Sequence, residues 1–179
     1  MKLLIASDIH GSAFYCRKLF EAAEKENPEK IILLGDLLYH GPRNDLPEEY
    51  APKETAKILN AFSSRIISVR GNCEAEVDQM MLSFPVLSDS AVLFADGHTF
   101  LCVHGHHLAD APDSYAGIDV LLTGHTHVPL NENRGSYLHL NPGSVSIPKE
   151  NTPHGYILYE DGVFTWKTLD GETFDTAKL

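Results

Sequence analysis

The stretch LLIASDIHG, residues 3–11, decides how this chain is read. An unbroken apolar run gives way within two positions to an aspartate, a histidine and a glycine. A run that short and that apolar reads as a strand buried on both faces, as in a parallel sheet. The next segment is amphipathic: Cys16, Leu19, Phe20 and Ala23 fall at i, i+3, i+4 and i+7, one face of a helix. Ser12 is placed to cap that helix, and Asn27-Pro28 to stop it.

The pattern repeats. Residues 30–34 predict a second strand, and YHGPRNDLPEEYAP a loop. A helix is expected near Pro52–Phe62, a third strand over 65–69 and a short helix over Glu74–Leu82. AVLFADGHTFLCV reads as a hairpin turning at Asp96-Gly97. Another strand is expected over 119–122, then short strands split by NRG, NPGS and EDG, and a tail, Asp175–Leu179, with little to bury. Strand and helix alternate in the first half, whereas the second half is mostly strand. The expectation is a layered α/β fold whose first strands are parallel. With no repeat, linker or low-complexity tract, residues 1–179 read as a single domain.

Composition narrows the function. The chain has 179 residues, 43% of them hydrophobic, enough for a full core. A formal net charge of -11 argues against extended nucleic acid or an anionic membrane as partner. An anionic substrate then requires local positive charge, which a bound metal supplies. Cys16, Cys73 and Cys102 form no CxxC and no paired framework, which points to a reducing compartment. MKLLIAS runs into DIHG without a cleavage-type region, and no apolar run is long enough for a bilayer, so a cytoplasmic location is expected.

Further along, other apolar runs end as the first one does. IILLG ends at Asp36, IISVRG at Asn72, FLCV at His104 and VLLTG at His125-Thr126-His127. Ligands of open α/β sheets sit beyond the carboxyl ends of strands, so these side chains are expected to converge on one rim with Asp8 and His10. Taken singly, each has a plainer explanation: an aspartate after a strand is usually a turn former or cap. Taken together, with a glycine near each, coincidence is a poor account of them. In D-x-H and H-x-H, the paired residues of an extended segment point to one side and together grip or flank an ion. Carboxylate, amide and imidazole donors suit borderline divalent ions such as Mn, Fe, Co, Ni or Zn rather than Mg or Ca. Asp8, His10, Asp36, Asn72, His104, His125 and His127 exceed what one tetrahedral ion needs and suit two metals sharing a carboxylate.

In order and spacing, D-x-H-G at 8–11, G-D at 35–36, G-N-C-E at 71–74, H-G-H at 104–106 and G-H-T-H at 124–127 resemble the calcineurin-like metallophosphoesterases. HGPRN at 40–44 and NPGSVSIPK at 141–149 are similar to its small bacterial YfcE-type phosphodiesterase subgroup. The resemblance implies a four-layer α/β/β/α sandwich and two divalent transition metals, manganese first among them. It assigns Asp8, His10 and His127 to one metal, Asn72, His104 and His125 to the other, and Asp36 to both. It further implies in-line attack on a small phosphodiester by a hydroxide held between the metals, and it allows a homo-oligomer. Many members carry a histidine, credited with protonating the leaving group, where this chain has Cys73; the YfcE-type subgroup tends to share the cysteine. Cys73 is therefore a candidate acid, with a merely supporting role the plainer alternative. His106, Arg43 and His40 are candidates for phosphate contact or transition-state stabilisation. The remaining histidines, His98, His107, His139 and His154, read as structural or surface residues. Two other functions stay open: a non-catalytic interaction scaffold of the same fold, and a phosphomonoesterase.

Overall fold

The computed structural model describes residues 1–108 and 115–179. Its first strand, β1 (Lys2–Ala6), leads into helix α1 (Ala13–Glu26). Ser12 caps α1 by accepting the Tyr15 N–H at 3.2 Å, and Asn27 ends it in a left-handed conformation at φ 49°. Strands β2 (Lys30–Leu33) and β3 (Ile66–Ser68) follow, separated by α2 (Pro52–Ala61). Both β1–β2 and β2–β3 pair in parallel, as expected of strands joined through helices. Helix α3 (Glu76–Met81) is shorter than the sequence suggested, because Glu74 lies outside it with its side chain turned inward.

The hairpin of β4 (Ser90–Ala95) and β5 (His98–Val103) turns at Asp96-Gly97, with φ 51° and 85°. Strand β6 (Val120–Leu122) pairs in parallel with β5 on one side and with β8 (Leu138–Pro142) on the other, and β7 (Pro129–Asn133) closes that sheet. From β8 the chain crosses to the first sheet, adding β9 (Gly155–Glu160), β10 (Val163–Thr168) and β11 (Thr173–Lys178). The orders are β11-β10-β9-β1-β2-β3 and β4-β5-β6-β8-β7. The C-terminal tail, expected to bury little, is indeed largely exposed, yet its backbone bonds make it the edge strand β11.

Alternation along β1 divides the core. Leu4 and Ala6 join Leu19, Phe20 and Leu59 under the helices, while Leu3 and Ile5 face Phe100, Val120 and Trp166 between the sheets. Cys16 and Cys102 are buried one in each cluster, and all cysteines are unpaired. With the sheets face to face, the carboxyl ends of β1, β2, β3, β5 and β6 come to one edge. No helix among the described residues is long and apolar enough to cross a membrane.

Candidate metal centre

Backbone hydrogen bonds bring the first two ligand loops together. The N–H groups of Asp8, His10 and Gly11 donate to the carbonyls of Gly35, Asp36 and Leu37 at 3.1, 2.9 and 2.9 Å. The loop after β1 and the loop after β2 are thereby zipped side by side. Residues of D-x-H and H-x-H are not extended, contrary to the sequence expectation. Asp8, His10, Asp36, His125 and His127 all have positive φ, at 60°, 49°, 56°, 68° and 63°. That region is sparsely populated by residues other than glycine and is concentrated at functional sites, where surrounding contacts hold it. The reason for the difference is that each loop must turn sharply at the sheet edge and still aim its side chains inward.

Close approach explains two of the glycines. A Cβ on Gly124 would lie 2.0 Å from Ser7 Oγ and 2.9 Å from Asp8 Oδ2, and one on Gly71 would lie 2.2 Å from Asp36 Oδ1. Only a bare backbone fits against these carboxylates.

Side-chain donors then meet in a small volume. His10 Nε2 and His127 Nε2 are 3.2 Å apart, and they lie 3.5 and 3.3 Å from Asp8 Oδ1. Asp36 Oδ2 lies 3.7 Å from His10 Nε2 and 3.4 Å from His104 Nε2, between the two rings. His104 Nε2 is 3.2 Å from Asn72 Oδ1. His125 sets its ring edge-on to His104 at 5.1 Å between centroids, and its backbone N–H donates to Asp8 Oδ2 at 3.0 Å.

Tautomers are set by the outer contacts. His10, His104 and His127 each donate Nδ1–H to a backbone carbonyl, of Tyr39, Leu34 and Ile147, at 2.7, 2.6 and 2.7 Å. A carbonyl only accepts, so these contacts fix Nδ1 as the donor and turn Nε2 toward the cluster, the usual support for metal-binding imidazoles. Nε2 lone pairs thus face carboxylate oxygens and one another, and Asp8 Oδ1 is buried with no hydrogen-bond partner. Such a convergence of acceptors calls for cations at its centre, and its mixed N/O chemistry fits transition-metal ions. Without them the charge must come from ring protons. Burial opposes charge on His104, but Asp36, with Asp8 and the Leu34 carbonyl, pushes the ring up to about 9.

The remaining candidates are peripheral. His106 stands beside the cluster, its ring 5.4 Å from that of His104 and 6.1 Å from that of His125. Burial and the neighbouring His107 and His104 lower its ring below the usual histidine range. Cys73 lies within reach of His10 and Asp36. Burial, reinforced by Asp36, pushes its thiol well up, so in this setting it is a protonated group. Arg43 is exposed and lines a cavity of about 380 Å3 with Asp36, Asn72, His125, His127 and Lys149. His40 packs edge-on to Tyr39 and Tyr50, outside that lining. The four histidines set aside from the sequence, His98, His107, His139 and His154, also lie outside it.

Some supporting residues were not singled out from the sequence. Glu74 is buried and accepts N–H bonds from Asp36 at 2.9 Å, from Leu37 at 2.7 Å and from Gly71. It fastens the loop after β2 to the loop after β3. Asn141 donates to the Gly124 carbonyl at 2.8 Å and to Thr126 Oγ1 at 3.2 Å, pinning the loop that carries His125 and His127. Ser144 and Ser146 donate to the Asp8 carbonyl at 2.8 and 3.1 Å. The signals were present in G-N-C-E and NPGSVSIPK, where polar residues flank apolar strands, but a long-range contact leaves no spacing to read.

This fold and this ring of donors define a metallophosphoesterase. A family model of the calcineurin-like phosphoesterase superfamily domain matches residues 1–161, and the chain belongs to that superfamily. It is 41% identical over 176 residues to phosphodiesterase YfcE of Escherichia coli (strain K12), covering 97% of this chain and 95% of that one. The solved structure of the E. coli YfcE phosphoesterase matches it with a TM-score of 0.93 at 40% identity, over 99% of each chain. Wild-type Vps29 of Entamoeba histolytica, solved in complex with Zn2+, shares the fold at a TM-score of 0.64 and 20% identity, over 99% of each chain.

Proposed function

We propose that this chain is a dinuclear metal-dependent phosphodiesterase acting on small phosphodiesters in a reducing, cytoplasmic setting, with residues 1–179 forming one catalytic domain. The observation that carries the proposal is the facing of Nε2 and carboxylate lone pairs around Asp8, His10, Asp36, His104 and His127. Asp8, His10 and His127 would hold one ion, Asn72, His104 and His125 the other, and Asp36 both. Two ions so held would lower the pKa of a water and neutralise charge on phosphoryl oxygens.

The chain's own groups do the rest. Arg43 and Lys149, on the rim of the 380 Å3 cavity, draw an anionic ester toward the site of a protein whose net charge is -11. His106 is placed beside His104 and His125, positioned to donate a hydrogen bond to a phosphoryl oxygen or the leaving oxygen. Cys73, protonated and at the edge of the cluster, supports the site by packing. The similarity to phosphodiesterase YfcE favours diesters over monoesters.

A second function has one observation in its favour. Val77, Met80 and Met81 leave apolar side chains exposed near the site, as an interaction scaffold would. The filled donor set favours the enzyme. Turnover of matched phosphomonoesters, diesters and cyclic nucleotides by protein loaded in turn with Mn, Co, Ni, Fe and Zn separates these functions. Metal-dependent hydrolysis of bis(p-nitrophenyl) phosphate in preference to p-nitrophenyl phosphate is expected. Stable metal binding without hydrolysis of any ester would establish the scaffold.

A further inference from the structure

Beside the metal centre lies a second cavity, of about 350 Å3, whose character is opposite. Leu38, Tyr50, Pro52, Val77 and Met81 make its walls, and Lys53 and Asp78 also border it. Cys73 also lines it, and its sulfur lies within reach of a ring nitrogen of His10 and a carboxylate oxygen of Asp36. Asn72, the preceding residue, lines the polar cavity instead. The 72–73 peptide therefore sits at the boundary between a polar chamber and an apolar one, and Cys73 is the residue that links the apolar chamber to the donor cluster.

Soluble proteins seldom leave large apolar side chains exposed around a concavity without use. Here Tyr39 is 42% exposed, Val77 59% and Met81 41%, and all three line this chamber. Small-molecule sites combine an apolar enclosure of this size with a few convergent polar groups. The enclosure and the convergent groups are separate features of this surface, joined at Cys73.

Resting on the phosphoester function proposed for this site, we propose that the chamber beyond Cys73 is the subsite for one organic substituent of the diester, and that it selects flat apolar or aromatic groups over short alkyl ones. The phosphoryl group lies in the polar chamber, and one ester arm extends past Cys73 between Tyr50 and the Val77–Met81 face. A peptide side chain or a lipid chain seated there instead would leave small ligands indifferent to the chamber.

Calorimetric titration of the manganese-loaded protein with phenylphosphonate and methylphosphonate tests this without turnover. These ligands share the anionic group and differ only in the arm. The native protein is expected to bind the phenyl ligand about tenfold more tightly, as burial of a ring implies. Ala75→Phe, which fills the chamber from an exposed position, and Val77→Asp, which charges its wall, should each bring the two affinities together. Methylphosphonate affinity and metal content should not change in either variant. Equal affinities in the native protein, or a phenyl preference that survives both substitutions, would overturn the subsite and leave the phosphoester function standing. Failure of both ligands to bind, together with absence of ester hydrolysis, would remove the function on which the subsite rests.

Discussion

His10 Nε2 and His127 Nε2 lie 3.2 Å apart although 117 residues separate them in the chain. Each ring is turned to this position by an Nδ1–H donated to a carbonyl, so both present lone pairs to the same point. Two lone pairs at that distance repel unless a cation stands between them. The positive φ of both residues has the same cause: loops at the end of β1 and β6 bend to aim these rings inward.

Asn141→Ala should weaken the site without dismantling the fold. Its amide pins Gly124 and Thr126, and loss of a buried hydrogen-bond donor of this kind costs about 1–3 kcal/mol. The expected result is a lower kcat and weaker metal retention, with the thermal midpoint falling by a few degrees. Denaturant unfolding beside metal titration checks it; unchanged metal affinity would show that the clamp is dispensable.

Gly124→Ala should be far more damaging than its one added carbon suggests. The new Cβ would meet Ser7 Oγ at 2.0 Å and Asp8 Oδ2 at 2.9 Å. Loss of activity together with loss of bound metal is expected, measured by metal analysis of the purified variant.

Binding of metal should release a proton from His104 near neutral pH. In the metal-free protein its folded pKa, about 9, lies above the unfolded value of 6.5. The sign is that of a raised histidine: its stabilising contribution is full below 6.5 and is lost as pH rises through about 9. A metal needs the unprotonated Nε2, so apparent affinity rises with pH up to that value. Calorimetry at pH 7.5 in buffers of differing ionisation enthalpy should show about one more proton released by the native protein than by His104→Asn. Equal release would contradict the account of that ring.

Cys73→Ser should retain most activity, within about tenfold of the native rate, or about 1.4 kcal/mol. The thiol is held protonated by burial and by Asp36, so its replacement by another small group changes packing more than proton transfer. A complete loss in steady-state turnover would make Cys73 the leaving-group acid after all.

Much of this was legible in the sequence because the fold places chemistry where apolar runs stop. LLIAS, IILLG and VLLTG announce buried strands, and the residues just past them are the donors that meet. Parallel pairing of β1 to β3 followed from the intervening helical stretches. The backbone, by contrast, was hidden. Nothing local marks Asp8 or His127 as left-handed, since that conformation is imposed by hydrogen bonds to loops far along the chain. Glu74 looked like the start of a helix for the same reason: besides the nearby Gly71, its partners are the N–H groups of Asp36 and Leu37, far back in the chain. The edge strand β11 was equally hidden, because an exposed strand has no apolar alternation to betray it.

The most direct test is Asp36→Ala, measured as bound metal and as turnover of bis(p-nitrophenyl) phosphate on the same preparation. Asp36 Oδ2 is the oxygen between His10 and His104, and the carboxylate on which both ions depend in this account. The variant should fold, retain less metal per chain and lose hydrolysis. Full metal content with native turnover would contradict a shared metal centre at this sheet edge.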